Sequence, residues 1–331
     1  MSTKLRLATF NLENLDDKPG QGPTLTERIT VMRPQLQRID ADVLCLQEVF
    51  GQEPNPPARA LTALKELIRG TRYENYTIAA TKTQSGQPYD KRNLIVLSRF
   101  PVLTEKQIKH ELVERPQYKI VTAVPAEGVK DVSWERPIFY VTLDLGGRTL
   151  HLLNLHLKSK MPTKIKGQVP EDNPYIWRTA YGWAEGFFLS SMKRVGQALE
   201  TRILIDQIFK TEEDLNREAL VAVCGDFNSD FDEVTVTAIR GPVEETGNPE
   251  LVGRVLVPCE LTVPESSRYS LLYLGKGLMF DHILVSRALL AFYRRAEIHN
   301  EILPDESGAF RTDKKFPESD HAPVVAEFEL P

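Results

Sequence analysis

Apolar residues along this chain fall in short runs that end abruptly on polar side chains, and that rhythm sets the expected elements. Lys4–Phe10 alternates and stops at Asn11; VLCLQE follows Asp42 and stops at Glu48. Runs this short, bounded by glycine or acidic residues, read as strands rather than helices. Tyr76–Thr81 and Leu94–Ser98 read as a strand pair, followed by Lys119–Pro125, Ile138–Leu145 and Thr149–Leu155. Gly146-Gly147 supplies the hairpin turn between the last two. The run Leu220–Cys224 breaks at Gly225 and releases Asp226 and Asn228. Period-two geometry points both to one side, where the strand opens into a loop. Tyr269–Leu274, Phe280–Ser286 with Asp281 at its start, and Ala322–Leu330 preceded by Ser319-Asp320-His321 complete the strands.

Helical periodicity appears between them. Thr24 and Glu27 form a capping box that opens a helix with Ile29, Met32, Leu36 and Ile39 inward, kinked or restarted at Pro34. Ala58–Arg69 turns Leu61, Leu64 and Leu67/Ile68 inward and stops at Gly70. Lys193–Lys210 is amphipathic, with Val195, Leu199, Ile203 and Ile208 expected inside. Pro54–Pro57 and Gly241–Ser267 read as loops. Many strands, few helices and an irregular order favour two packed sheets flanked by helices over a βαβ series. The chain shows no solenoid repeat and no low-complexity segment.

Composition narrows the class. At 331 residues, 41% hydrophobic and 26% charged, this is the make-up of a globular enzyme. A large two-sheet fold of that length can form one domain, here 1–331. No transmembrane segment is present, since no apolar stretch reaches spanning length. The N-terminus enters a strand almost at once, so a cytoplasmic product is expected. Cys45, Cys224 and Cys259 read as packed thiols. A net charge of −5 gives no global attraction to nucleic acid or anionic lipid, so a polyanion would need metal ions and a local basic patch. One such patch exists. From His156 to Arg194 there are seven Lys/Arg against three Asp/Glu, interleaved with Tyr175, Trp177, Tyr181, Trp183, Phe187 and Phe188. Residues 160–193 read as an insertion. Their pattern suits backbone-tracking and base-stacking contacts with nucleic acid, and equally a solvated lysine loop over an aromatic mini-core.

The polar strand ends share one chemistry. They carry Asn11, Glu48, Asn154 and His156 (with Lys158 on the same face), Asp226 and Asn228, Asp281, and Asp320 with His321. All the would-be ligands are oxygen donors or imidazoles, a set that selects Mg²⁺ or Mn²⁺ over zinc. A histidine following an aspartate, with a further aspartate available for its ring, is a general acid/base arrangement. Metal, histidine and carboxylate together fit phosphoester hydrolysis.

Six segments in order, LATFNLENL, DVLCLQEVF, LLNLHLKSK, VAVCGDFNSD, MFDHILVS and SDHAPVVAEF, resemble the successive motifs of the endonuclease/exonuclease/phosphatase superfamily. The resemblance spans Leu5 to Glu329. It implies an α/β, four-layer sandwich of two packed mixed β-sheets flanked by helices, with the active site at one end. It also implies roles: Glu48 as principal metal ligand, with Asn11 and Asp320 beside it. By the same resemblance Asp226 orients or deprotonates the attacking water, Asn228 holds the phosphate, and His321 is the catalytic histidine with Asp281 fixing its ring. His156, in NLHLK, resembles the second histidine of deoxyribonucleases and phosphatases, where abasic-site endonucleases differ. NLHLKSK, LSRFPV and RYSLLYLGKGLMFDHILVS resemble stretches of bacterial nuclease-like members. Asn154, Lys158, Lys160, Lys164 and Lys166 are candidate substrate contacts. The expected activity is Mg²⁺- or Mn²⁺-dependent hydrolysis of nucleic-acid phosphodiesters by activated water. The alternative is a phosphatase or phospholipase-type hydrolase acting on a small phosphoester or lipid headgroup. No protein partner is inferable.

Overall fold

The apolar runs pair into two sheets in the computed structural model, which describes residues 2–18, 20, 22–56, 58–173, 175–308 and 315–331. The strands are β1 (Thr3–Leu15), β2 (Val43–Val49), β3 (Thr77–Ala80), β4 (Asn93–Ser98), β5 (Val102–Ile108) and β6 (Ile138–Asp144). They continue with β7 (Thr149–His156), β8 (Leu220–Asp226), β9 (Leu256–Pro258), β10 (Asp281–Ser286), β11 (Tyr293–Ile298) and β12 (Val324–Leu330). The first six-stranded sheet has the order β11-β12-β1-β2-β4-β3, the second β9-β10-β8-β7-β6-β5.

Each sheet is antiparallel except for one central parallel pair, β1 with β2 and β7 with β8. Parallel neighbours finish at the same edge. Asn11 and Glu48 therefore emerge together from the first sheet, and His156 lies in register with Asp226 in the second. The antiparallel neighbours β10 and β12 start where those strands end: Asp281 pairs with Asp226, and Val324, just past His321, pairs with Thr9. Topology thus gathers all six polar strand ends at one end of the sandwich.

Three apolar layers hold it together. Leu5, Leu7, Val43 and Cys45 meet Phe139, Val141, Leu152 and Cys224 between the sheets. Outside the first sheet, α1 (Leu25–Ile39) and α2 (Thr62–Ile68) lay Met32, Leu36 and Leu64 on Phe10, Leu44 and Leu46. Outside the second, α3 (Ala180–Asp214) and α4 (Val234–Arg240) lay Ala198, Ile205 and Val236 on Leu153, Val221 and Val223. The central strands are buried on both faces, which is why they read as near-continuous apolar runs. Each fully buried Leu or Phe contributes about 1.5–3 kcal/mol. All three cysteines are free and buried.

Several expected elements shift. The Thr24 capping box forms, and α1 runs unbroken through Pro34. Its neighbour α2 starts at Thr62, because Ala58–Ala60 pairs with Gln52–Asn55 in a small hairpin. Lys119–Pro125 is not a strand; Gln117–Lys119 pairs with Val129–Asp131. The edge strand β5 had no apolar signature, since VLTEKQI exposes most of its side chains. Helix α3 starts well before Lys193, and its inward face is met in part: Ile208 is buried, Val195 and Ile203 are half-buried and Leu199 is exposed, while Arg194, Gln197 and Glu200 are buried. Those polar groups satisfy loop backbone. Arg194 donates to the carbonyls of Lys158 and Ser159, Gln197 donates to that of Arg136, and Glu200 accepts from the Glu111 and Leu112 amides and the Trp134 indole. Among the described residues no helix is long and apolar enough to cross a membrane.

Candidate active site

Asp226, the last residue of β8, is fully enclosed. One oxygen, Oδ1, accepts the Asn228 amide N–H at 2.8 Å; the other, Oδ2, accepts the Asn228 side chain at 2.9 Å and the Asn11 side chain at 3.1 Å. Asn228 reaches back because its backbone turns left-handed, φ 50°. Burial, then the Asp281 and Glu48 charges, outweigh His321 and lift the Asp226 pKa to about 7. Two imidazoles face this carboxylate: His156 Nε2 at 3.4 Å and His321 Nε2 at 3.9 Å.

The two histidines are driven apart in charge. Burial, Arg136 and Arg92 push His156 well below the ordinary histidine value, so its ring is neutral. Burial also works against a charged His321, yet the Asp281 and Asp226 carboxylates raise it well above that value. Its Nδ1 lies 2.6 Å from Asp281 Oδ2, which fixes the ring and leaves Nε2 facing the site.

Carboxylates mass on the opposite side. Glu48 adopts φ 59°, and its Oε2 accepts the Asn14 amide, while Oε1 lies 3.4 Å from His156 Nε2. The Asp320 backbone N–H donates to Glu13 Oε2 at 3.2 Å, and Asp320 Oδ1 is buried with no hydrogen-bond partner, 3.9 Å from His321 Nε2. Burial, Glu13, Glu48 and Glu306 raise the Asp320 pKa well above the carboxylate range. A divalent cation answers that crowding: the donors are all oxygens, like charges repel across the gap, and Asp320 Oδ1 has no hydrogen-bond partner. The residues present fit such an ion. The ligand atoms of Asp226, Asp281 and His321 also lie within 4.8 Å of one another. In that trio the mutual hydrogen bond takes His321 Nδ1 and Asp281 Oδ2, while Asp281 Oδ1 is buried without a hydrogen-bond partner.

Around this centre lies a pocket of ≈ 460 Å³. Its lining includes Arg92, Arg136 and Lys160 on a cationic side and Tyr273, Leu278 and Phe280 on an apolar one. The Arg136 guanidinium is held by the carbonyls of His156 and Leu157. Lys160 pairs with Glu233 and lies 4.7 Å over the Phe280 ring.

Of the expected residues, Glu48, His156, Lys160, Asp226, Asn228, Asp320 and His321 line this pocket, with Asn11 and Asp281 directly behind them. Asn154 does not reach it. Its amide is consumed between the sheets, donating to the carbonyls of Leu46 and Ile95 and accepting from Gln47. Lys158 is half-buried, donating to Ser159 and Met161, and burial lowers its pKa to about 8. Lys164 and Lys166 are exposed and outside the pocket lining. Sequence reasoning missed Glu13, Arg92, Arg136 and Glu306. Glu13 was visible in the NLENL motif beside Asn11; the other three stand in segments with no periodic or motif signal.

A two-sheet sandwich whose parallel-strand ends present carboxylates, a carboxylate-held histidine and a cationic wall defines a metal-assisted phosphoester hydrolase. The chain belongs to the Endonuclease/Exonuclease/phosphatase family, whose sequence signature it matches over residues 8–321. Its fold is similar to an endonuclease/exonuclease/phosphatase family protein from Bacteroides thetaiotaomicron, with a TM-score of 0.58 at 16% identity over 100% of this chain and 96% of the other. It is also similar to truncated Caenorhabditis elegans TDP2, with a TM-score of 0.57 at 16% identity over 98% and 97%. D. rerio TDP2 complexed with a single-strand DNA product gives 0.54 at 18% identity over 98% and 99%. No curated protein matches the sequence. The members of this family are phosphoester hydrolases, typically dependent on a divalent metal.

Proposed function

We propose that this chain is a Mg²⁺-dependent phosphodiesterase acting on nucleic acid, with Mn²⁺ able to substitute. The observation that carries the reading is the cationic wall of Arg92, Arg136 and Lys160, which faces the carboxylate–histidine centre and is followed along the chain by the exposed Lys164 and Lys166. A single small phosphate needs no such continuation; a polyanion does. That one neighbour was solved with single-strand DNA supports it by analogy of fold.

Glu48 and Asp320, with Asn11 behind, would hold the cation, which supplies charge neutralisation at the phosphate oxygens. Asp226, poised near neutrality, takes the proton of the attacking water, and Asn228 and neutral His156 hold the phosphate in line. His321, positively charged through Asp281, stabilises charge on the phosphorane-like transition state and delivers a proton to the departing oxygen. The apolar hairpin wall, Leu271–Leu278, favours the second reading, a compact phosphoester held in an enclosed pocket.

A substrate panel separates them: single- and double-stranded DNA, RNA, bis-p-nitrophenyl phosphate, p-nitrophenyl phosphate and sphingomyelin, each with and without EDTA. Diester and nucleic-acid hydrolysis abolished by EDTA is the expected result. Preference for the monoester or for sphingomyelin would move the second reading ahead, and full turnover in excess chelator would sink both.

A further inference from the structure

Beyond the pocket, the segment 160–179 and the first turns of α3 form a surface that the chemistry above does not use. Among the described residues, five of the seven well-exposed aromatic side chains lie between Tyr175 and Phe188. Tyr181 is 63% exposed, Trp183 46% and Phe187 40%. Trp183 and Phe187, one helical turn apart, stack with ring centroids 5.6 Å apart at 17°. On the helix face itself Leu189 is buried and Ala184 is small, while the preceding strap adds two exposed apolar side chains without rings, Met161 and Ile176. Burying this much aromatic surface is worth far more than leaving it in water, so its exposure asks for an occupant.

The path from the pocket to this surface is continuous. The carbonyl of Met161, on the pocket lining, accepts from the Ser190 hydroxyl, and the Thr163 N–H donates to the Gly186 carbonyl. The strap that walls the pocket is therefore fastened along the helix that carries the rings. Lys164, Lys166 and Arg178 are exposed on the same stretch, and none of them forms an ion pair among the described residues. Unpaired cations beside flat aromatic faces complement a ligand with phosphates and π-faces. Aromatic and cationic side chains also suit a bilayer surface or a protein partner; what favours a nucleic-acid strand is the unbroken path from this surface to the phosphoester pocket.

We infer that this surface is a stacking platform for unpaired bases, so that the substrate is a single-stranded nucleic acid whose flanking nucleotides lie along 160–188 while one phosphodiester occupies the pocket. This rests on the nucleic-acid reading above. Base–aromatic stacking is favourable for any base and is unavailable in an intact duplex.

The test uses the full chain. Trp183→Ala/Phe187→Ala, both exposed, leaves the core intact, and Trp183→Tyr keeps a π-face. Expected is a KM for a single-stranded oligonucleotide raised on the order of tenfold to a hundredfold in the double variant. Trp183→Tyr should restore most of it, and bis-p-nitrophenyl phosphate turnover should be unchanged. Equal KM values for the single strand in wild type and double variant would overturn the platform while leaving the nucleic-acid reading intact. Turnover of the small diester with no cleavage of any oligonucleotide would overturn both. Phosphatidylcholine vesicles are the control surface: sedimentation with them, lost in the double variant while the oligonucleotide KM stays fixed, would assign the patch to lipid instead.

Discussion

At the scale of single residues, two histidines carry separable tests. His321, held by Asp281, should lose a factor on the order of 10²–10⁴ in kcat on replacement by alanine. Asp281→Asn should cost less and move the alkaline limb of the pH–rate profile to lower pH, since Asp281 is the main support of the imidazolium. Wild-type turnover in His321→Ala would place the chemistry elsewhere. His282, next to Asp281, has both ring nitrogens occupied: Nδ1 by Glu260 at 2.6 Å and Nε2 by the Ser229 carbonyl at 2.9 Å. Burial alone would lower its pKa, but the Glu260 bond and charge outweigh burial, and the net shift is upward. A folded-state pKa above the unfolded value of 6.5 gives stability that is complete below 6.5 and lost as pH rises through the folded value. His282→Gln should flatten that alkaline loss, read as the pH dependence of the urea midpoint in the two proteins. Parallel curves would reject the charged pair. The sequence made the His321–Asp281 pair legible, through SDH and the acidic start of a strand. It misled at Asn154 for a geometric reason. Alternation placed Asn154 on the same face as His156, but two residues along a strand is about 7 Å deeper, past the reach of the pocket.

Elements show the same division between pattern and depth. Strands buried on both faces were readable because nothing polar interrupts them; β5 was not, because an edge strand keeps its polar side chains in water. For α3 the period was correct and Ile208 is buried as expected, but Leu199 is exposed and part of the inward surface is built from Arg194, Gln197 and Glu200, which no hydrophobic pattern records. At this scale the prediction concerns the strap. Lys164 and Lys166 are exposed, so Lys164→Ala/Lys166→Ala should leave kcat on the small diester unchanged. The slope of log KM against log salt for single-stranded nucleic acid should fall by about 0.7 per lysine. An unaltered slope would make these lysines a solvated face. Gly225 belongs to the same scale. It holds φ 136° inside β8, and a Cβ there would meet the Leu155 carbonyl at 2.0 Å. Gly225→Ala should separate the parallel pair that presents His156 and Asp226, costing about 1–3 kcal/mol or more in the denaturant midpoint along with activity.

Across the whole molecule, the two sheets communicate through a polar seam at the site's floor. The irregularity in β2 between Leu46 and Val49, where Glu48 turns to positive φ, leaves carbonyls that Asn154 of the other sheet satisfies. Asn154→Leu should cost about 1–3 kcal/mol of stability and weaken divalent-metal binding at Glu48, measured by unfolding and by metal titration of activity. Loss of stability with unchanged metal affinity would confine Asn154 to packing. The overall sandwich was legible from the strand count and the ordered motifs; this seam was not, because it depends on which carbonyls a bulge leaves open. The pairing of Thr3 with Leu330 has one more consequence. The first sheet is assembled from opposite ends of the chain, with the entire second sheet lying between them in sequence. Contacts that distant are slow to find, because so much chain must be ordered before they form. His321, just ahead of the closing strand, should therefore reach its place last. On refolding from urea, the fluorescence of Trp134, which is buried against α3, should recover before hydrolysis does. The lag between them would time the closure of β12 onto β1, and a single shared rate constant would show that the two sheets form as one.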